Sequence, residues 1–304
     1  MPVLHGLIVP LVTPFDHRGT VDTGALLAVA DYVLARGANG LMLTALTGEG
    51  NLLSAEETRT VWSTILDRYR SQTPIIPAIF STTTADAIRL GRLAAELGAD
   101  AVMVAAIMPE LYGRRADAHV LRFFEAFSAA AHLPIVLFNY PSVAGYDLTP
   151  PLVAGLSTIP NIRYIKESTS DSRRVSDILA LTAGRMQVIC GSPDIALESL
   201  ALGCTAWITA ITNFVPAASR ALIDAIANSD LTRARTLNAN VIRLSFEILR
   251  QSSNTVGSIK AGLRLCGIEV GDPRPPGLPL VVDAPIRAAF ERIFAAEHVL
   301  LGTP

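Results

Sequence analysis

PIVLF, residues 134–138, is five apolar residues in a row. A strand with one face in water alternates apolar and polar residues, whereas a strand covered on both faces does not. Seven other short runs have the same character: GLIVPLV (6–12), GLMLT (40–44), PIIPAIF (74–80), AVMVAA (101–106), IRYI (162–165), QVIC (187–190) and AWITA (206–210). Between them lie longer stretches of helical period, such as DTGALLAVADYVLARG (22–37), which ends on a glycine. SAEETRTVWSTILDRYR (54–70) is another, and it opens with a capping box, Ser54 followed by Glu57. Strands apolar on both faces and separated by helices point to a parallel sheet. Eight strand–helix units in roughly the first 228 residues favour a closed (β/α)8 TIM barrel over an open doubly wound sheet. No GxGxxG follows the first run, which weakens the dinucleotide-binding alternative.

Past residue 228 the strand pattern stops. DLTRARTLNANVIRLSFEILRQ (230–251), NTVGSIKAGLRLCG (254–267) and APIRAAFERIFAAEHVLLG (284–302) have helical period, with the proline-rich GDPRPPGLP (271–279) before the last. The predicted organisation is an α/β barrel over 1–228 carrying the active site, with a three-helix C-terminal extension over 229–304 packed on it.

Composition narrows the functional classes. A formal net charge of −2 with no long charge run gives no electrostatic reason to expect nucleic acid. Half of the 304 residues are hydrophobic. The longest apolar runs are nevertheless far short of the roughly 20 residues that span a membrane. The N-terminus MPVLHGLIVP has no basic start and no cleavage site. A soluble, cytoplasmic protein is expected. Cys190, Cys204 and Cys266 are scattered and read as small buried residues, and the five histidines show no metal-ligand spacing, so no metal is expected.

The basic residues are 23 arginines and only two lysines, Lys166 and Lys260. In barrel enzymes the chemistry gathers at the C-terminal ends of the strands. Those ends carry Thr44 with the loop ALTGEG, Asn139-Tyr140, Lys166-Glu167, Gly191-Ser192 and Thr209. A lysine inside a barrel mouth is partly desolvated, so its amine is freed as a nucleophile, whereas an arginine stays protonated. Placement alone leaves Lys166 evenly divided between a Schiff-base former and a surface charge. Lys260, in mid-helix, reads as a charge that packs or pairs on a helix face.

GLIVPLVTPFD, TGEG (47–50), FNYPSVAG (138–145), IKES (165–168), CGSPD (190–194) and NTVGSIKAGLRLCG occur in an order that resembles the dihydrodipicolinate synthase and N-acetylneuraminate lyase family over nearly the whole chain. The resemblance implies a tetramer built as a dimer of dimers. It also implies an imine between Lys166 and pyruvate or another 2-oxo acid, with no metal or organic cofactor. Carried over by residue, Thr47, Gly48 and their neighbouring amides hold the substrate carboxylate. Gly191 and Ile208 shape its pocket, and Tyr112 reaches a neighbouring subunit's site. The chain departs from the pattern in three places. Phe138 stands where the family has a proton-shuttling tyrosine, and Leu46 stands where a threonine or serine pairs with it. Val143 stands near an arginine that holds the second carboxylate in true synthases. Losing both relay partners is nearly neutral, whereas losing one leaves a buried polar group unpaired. Tyr140, two residues on, is the other candidate for the shuttle.

The first functional reading is a Schiff-base lyase or aldolase acting on pyruvate or a 2-oxo-3-deoxy acid, because NYP followed by AGYDL is more similar to 2-oxo-3-deoxygluconate-type aldolases. The alternatives are dihydrodipicolinate synthase itself and a degenerate homologue that binds a 2-oxo acid without turnover.

Overall fold

The pleat of eight strands sorts their side chains into two separate apolar clusters. The computed structural model describes residues 4–106, 117–251 and 254–301. Its strands are β1 (Gly6–Pro10), β2 (Gly40–Leu43), β3 (Ile75–Ser81), β4 (Val102–Ala106), β5 (Ile135–Asn139), β6 (Ile162–Glu167), β7 (Gln187–Cys190) and β8 (Ala206–Trp207), all parallel. They close into a barrel, with β1 pairing β8 through Gly6↔Ala206 and Leu7↔Trp207. Alternate residues such as Met42, Ile76, Met103, Val136 and Ile189 fill the barrel interior. Their neighbours Leu41, Ile75, Val104, Leu137 and Val188 pack outward. This two-sided burial is the cause of the unbroken apolar runs in the sequence.

The outer layer comprises α1 (Thr23–Leu34), α2 (Ala55–Tyr69), α3 (Thr84–Leu97), α4 (Asp117–Ala131), the short α5 (Pro141–Ala144), α6 (Pro150–Leu156), α7 (Arg173–Thr182), α8 (Ala196–Ala201) and α9 (Pro216–Ala227). The capping box of α2 is formed in both directions: Glu57 N donates to Ser54 Oγ at 3.1 Å, and Ser54 N donates to Glu57 Oε2 at 2.8 Å. The two-layer barrel matches the sequence expectation, with two local differences. The run AWITA forms only a two-residue strand. After it the chain turns through a 3₁₀ segment, Ala210–Asn213, anchored by Asn213 Nδ2 donating to Pro10 O at 2.9 Å. The first helical stretch of the extension is broken into α10 (Leu231–Leu237) and α11 (Arg243–Gln251) by a π turn at Asn238–Ile242. The extension continues with α12 (Thr255–Leu265) and α13 (Ala284–Leu301). Among the described residues, no helix is long and apolar enough to cross a membrane.

Lys260 is paired, as a mid-helix charge is expected to be, yet it is fully buried. Its Nζ lies 2.9 Å from Glu49 Oε1 and 3.0 Å from Asp272 O.

Candidate active site

The register of β5, β6 and β7 places Lys166 between Phe138 and Ile189. Alternation along β6 turns Ile165 outward and sends Tyr164 into the barrel interior. Lys166 follows the same face and opens onto the mouth, with Nζ 5.2 Å from the centre of the Phe138 ring. Glu167, one residue on, belongs to a different assembly. It accepts from Asn139 Nδ2 at 2.9 Å and from Arg174 Nε at 3.2 Å. Arg174 also grips Asp147, and Asn139 Oδ1 accepts from Leu148 N. This polar network ties the ends of β5 and β6 to α7, leaving the lysine with an apolar wall.

Burial pushes the Lys166 amine down to about 8 from 10.5, because the charged form loses its hydration there. Imine formation is therefore expected to rise with pH around a midpoint near 8 and to flatten above it; a profile still climbing near 10 contradicts the buried-amine reading. The same displacement carries a stability cost. The unfolded chain binds the proton more tightly, so stability rises with pH between about 8 and 10.5, and below about 8 the full cost of roughly 3 kcal/mol stands. Lys166→Met is expected to stabilise the fold at pH 7 by roughly 1–3 kcal/mol in denaturant titration. A loss of stability would contradict that assignment.

The mouth holds a cavity of about 520 Å³. Leu46, Thr47, Phe138, Tyr140, Lys166 and Gly191 all line it. Gly48 and Ile208 do not. Gly48 packs under the loop, with its carbonyl accepting from Thr13 Oγ1 at 2.6 Å and its N–H donating to Ala45 O at 2.9 Å. Ile208 is buried in the barrel interior. Tyr112 lies outside the described residues. Phe138, rather than Tyr140, is the direct neighbour of the lysine: Tyr140 is 40% exposed, and its ring centre is 6.3 Å from that of Phe138. Val143, on α5, is 37% exposed and does not line the cavity.

Several lining residues were not anticipated. Phe80 packs edge-on against Phe138, with ring centres 5.1 Å apart and an interplanar angle of 89°. Its place was readable, since it lies on the face of β3 that Ile76 and Ala78 share. Ser168, two residues beyond Lys166, is buried, and its Oγ makes no hydrogen bond within the protein. A Cβ on Gly191 would come within 1.9 Å of that oxygen, so glycine is what leaves room for the hydroxyl. The extension supplies Phe246, Leu249, Arg250, Thr255 and Val256, which no local pattern marks as facing a barrel mouth. Among the described residues, no group of three His, Cys, Asp or Glu side chains gathers as a metal site.

A closed barrel with a desolvated lysine in its mouth is an arrangement suited to covalent catalysis. Residues 3–295 match the Dihydrodipicolinate synthetase family. A 4-hydroxy-tetrahydrodipicolinate synthase of Methanothrix thermoacetophila is 32% identical over 282 residues, covering 91% of this chain and 92% of that protein. The dihydrodipicolinate synthase of Acinetobacter baumannii, solved with pyruvate, superposes with a TM-score of 0.88 at 29% identity, over 98% of this chain and 100% of that one. A sialic acid aldolase of Ruminococcus gnavus, solved as a catalytic lysine mutant, gives a TM-score of 0.90 at 21% identity over 97% of each chain, a likeness of fold alone. The chain belongs to the dihydrodipicolinate synthase family, and it is an enzyme, a lyase of that family.

Proposed function

We propose that the protein is a Schiff-base lyase that cleaves or forms a carbon–carbon bond next to pyruvate, with a 2-oxo-3-deoxy acid as the larger substrate. The observation that carries this reading is the desolvated amine of Lys166 in the wall of the barrel-mouth cavity, beside the Phe138 ring. The neutral amine adds to the keto carbon, and the carbonyl oxygen leaves as water to give an iminium. In the cleavage direction a proton leaves the C4 hydroxyl and the C3–C4 bond breaks. Its electron pair moves toward the iminium nitrogen, leaving an enamine and a free aldehyde. Protonation at C3 and hydrolysis then return pyruvate and the amine. Thr47 and the adjacent turn amides are proposed to hold the carboxylate. Gly191 leaves space for the bound acid, and Gly48 and Ile208 support the pocket from behind. Tyr140 and Tyr112 are the phenols proposed for proton transfer. No metal or organic cofactor takes part in this scheme. A homotetramer, a dimer of dimers, belongs to the same reading and rests on the family resemblance alone, and a cytoplasmic location is proposed with it.

The hydroxyls of Ser168, Ser170, Ser192 and Thr255 around the cavity support a hydroxylated partner for pyruvate. The names of the relatives favour a second reading, 4-hydroxy-tetrahydrodipicolinate synthase. Val143 speaks against it, since a charge-assisted contact to a second carboxylate is worth roughly 1.5–3 kcal/mol and valine offers none. A degenerate binder without turnover is supported by the apolar trio Leu46, Phe80 and Phe138. A turnover screen separates the three. Pyruvate release from 2-oxo-3-deoxy sugar acids, unchanged by EDTA, is the expected result, with weak or no condensation of pyruvate and aspartate semialdehyde in a reductase-coupled assay. Efficient condensation would restore the synthase reading, and binding without any turnover would favour the degenerate one.

A further inference from the structure

The second lysine of the chain is fully buried, in the C-terminal extension just behind the cavity lining. Lys260 is on α12, one helical turn beyond Val256, which lines the cavity. Its amine donates to Asp272 O at 3.0 Å, pairs by charge with Glu49 Oε1 at 2.9 Å and faces the Phe15 ring, 4.4 Å to the centre. A guanidinium carries five N–H donors in a planar fork, so several would be left unpaired in that space.

Glu49 is itself buried and follows the 46–48 turn whose Thr47 lines the cavity. Its backbone is left-handed, with φ 54° and ψ 30°. While Oε1 pairs with the lysine by charge, the other carboxylate oxygen, Oε2, accepts from Arg274 N at 2.8 Å. The Arg274 side chain reaches on to Glu57 in the capping box of α2 and to Leu52 O. The extension therefore holds the turn from outside through one carboxylate, while α12 lines the cavity on the inner side. A buried ion pair returns little net stability compared with an apolar pair of the same volume. What it supplies is a short charge–charge contact at a fixed place.

We propose that Lys260 and Glu49 are positioning residues, a buried ion pair through which the C-terminal extension sets Thr47 and its turn amides for the substrate carboxylate. The proposal rests on the Schiff-base reading and on Thr47 as a carboxylate contact. It answers why arginine is missing here as well: both lysines occupy places where a compact amine fits and a guanidinium does not.

The test is the rate of borohydride trapping against pyruvate concentration in the full chain, in Glu49→Gln, Lys260→Met, the E49Q/K260M pair and Lys260→Arg. A displacement on the ångström scale costs on the order of 10²-fold. Half-saturating pyruvate is therefore expected to rise by about that factor in each variant, while the midpoint of the pH profile set by Lys166 stays in place. The double variant is expected to be no worse than either single one, because the two groups act as a unit. Lys260→Met leaves a buried carboxylate without its counter-charge. If it does not fold, E49Q/K260M, which removes both charges, carries the test. A folded double variant with unchanged half-saturation overturns the proposal, as does full rescue by Lys260→Arg or failure of every variant to fold. No trapping by the unsubstituted chain overturns the Schiff-base reading and this proposal with it, whereas normal trapping unchanged by the variants overturns this proposal alone.

Discussion

Lys166→Arg is expected to remove all covalent trapping and to lower turnover on the order of 10⁴-fold or more, as loss of the nucleophile does in covalent catalysis. Arginine keeps the charge and much of the length, so it separates electrostatic attraction from nucleophilicity. Its guanidinium stays protonated even when walled in, whereas burial drives the Lys166 amine to about 8, with a usable neutral fraction at ordinary pH. The variant should still bind pyruvate, because Thr47 and the turn it belongs to are untouched. Turnover within about tenfold of the unsubstituted chain would show that Lys166 is not the nucleophile, since a group acting by charge alone would be largely replaced.

The second large effect lies in the missing hydroxyls. Phe138 pairs in register with Lys166, and Phe80 stacks edge-on against it, so the side of the site where the family places a phenol is hydrocarbon. A positioned acid–base group contributes about 10²–10⁴-fold. Phe138→Tyr alone is expected to help little, because the new hydroxyl meets Leu46 and Phe80. Phe138→Tyr with Leu46→Thr is expected to speed single-turnover imine trapping by about 10²-fold, and by more than the product of the single effects. A full gain from Phe138→Tyr alone, or a double variant that is merely multiplicative, refutes the idea of one coordinated change. Abolition of trapping by Tyr140→Phe alone would instead place the shuttle two residues along the chain.

The barrel was legible because burial on both faces of a strand leaves a mark on every residue of it. The interior members of PIVLF, Val136 and Phe138, and the outward members, Ile135 and Leu137, are all apolar for different neighbours. Lys166 was legible for the opposite reason, as a rare residue at the end of such a run. AWITA overstated the strand: Ile208 N still donates to Cys190 O at 2.9 Å, but the chain then turns at Ala210–Asn213, where Asn213 Nδ2 donates to Pro10 O, 203 residues away in the chain. The polar tie of Asn139 and Glu167 to Arg174 left no trace in spacing, since three elements meet there only in the closed barrel. Lys260 shows the same limit. Helical period puts it on a face, but its burial follows from Glu49 and Asp272, which come from a loop and a linker far apart in the chain. The cavity residues given by α11 and α12 were invisible for the same cause.

The most direct measurement is peptide mapping by mass spectrometry after borohydride reduction with pyruvate. The predicted result is one pyruvate-sized mass on the peptide that carries Lys166, and none elsewhere. A label on the peptide that carries Lys260, or no label at all, would contradict the Schiff-base mechanism.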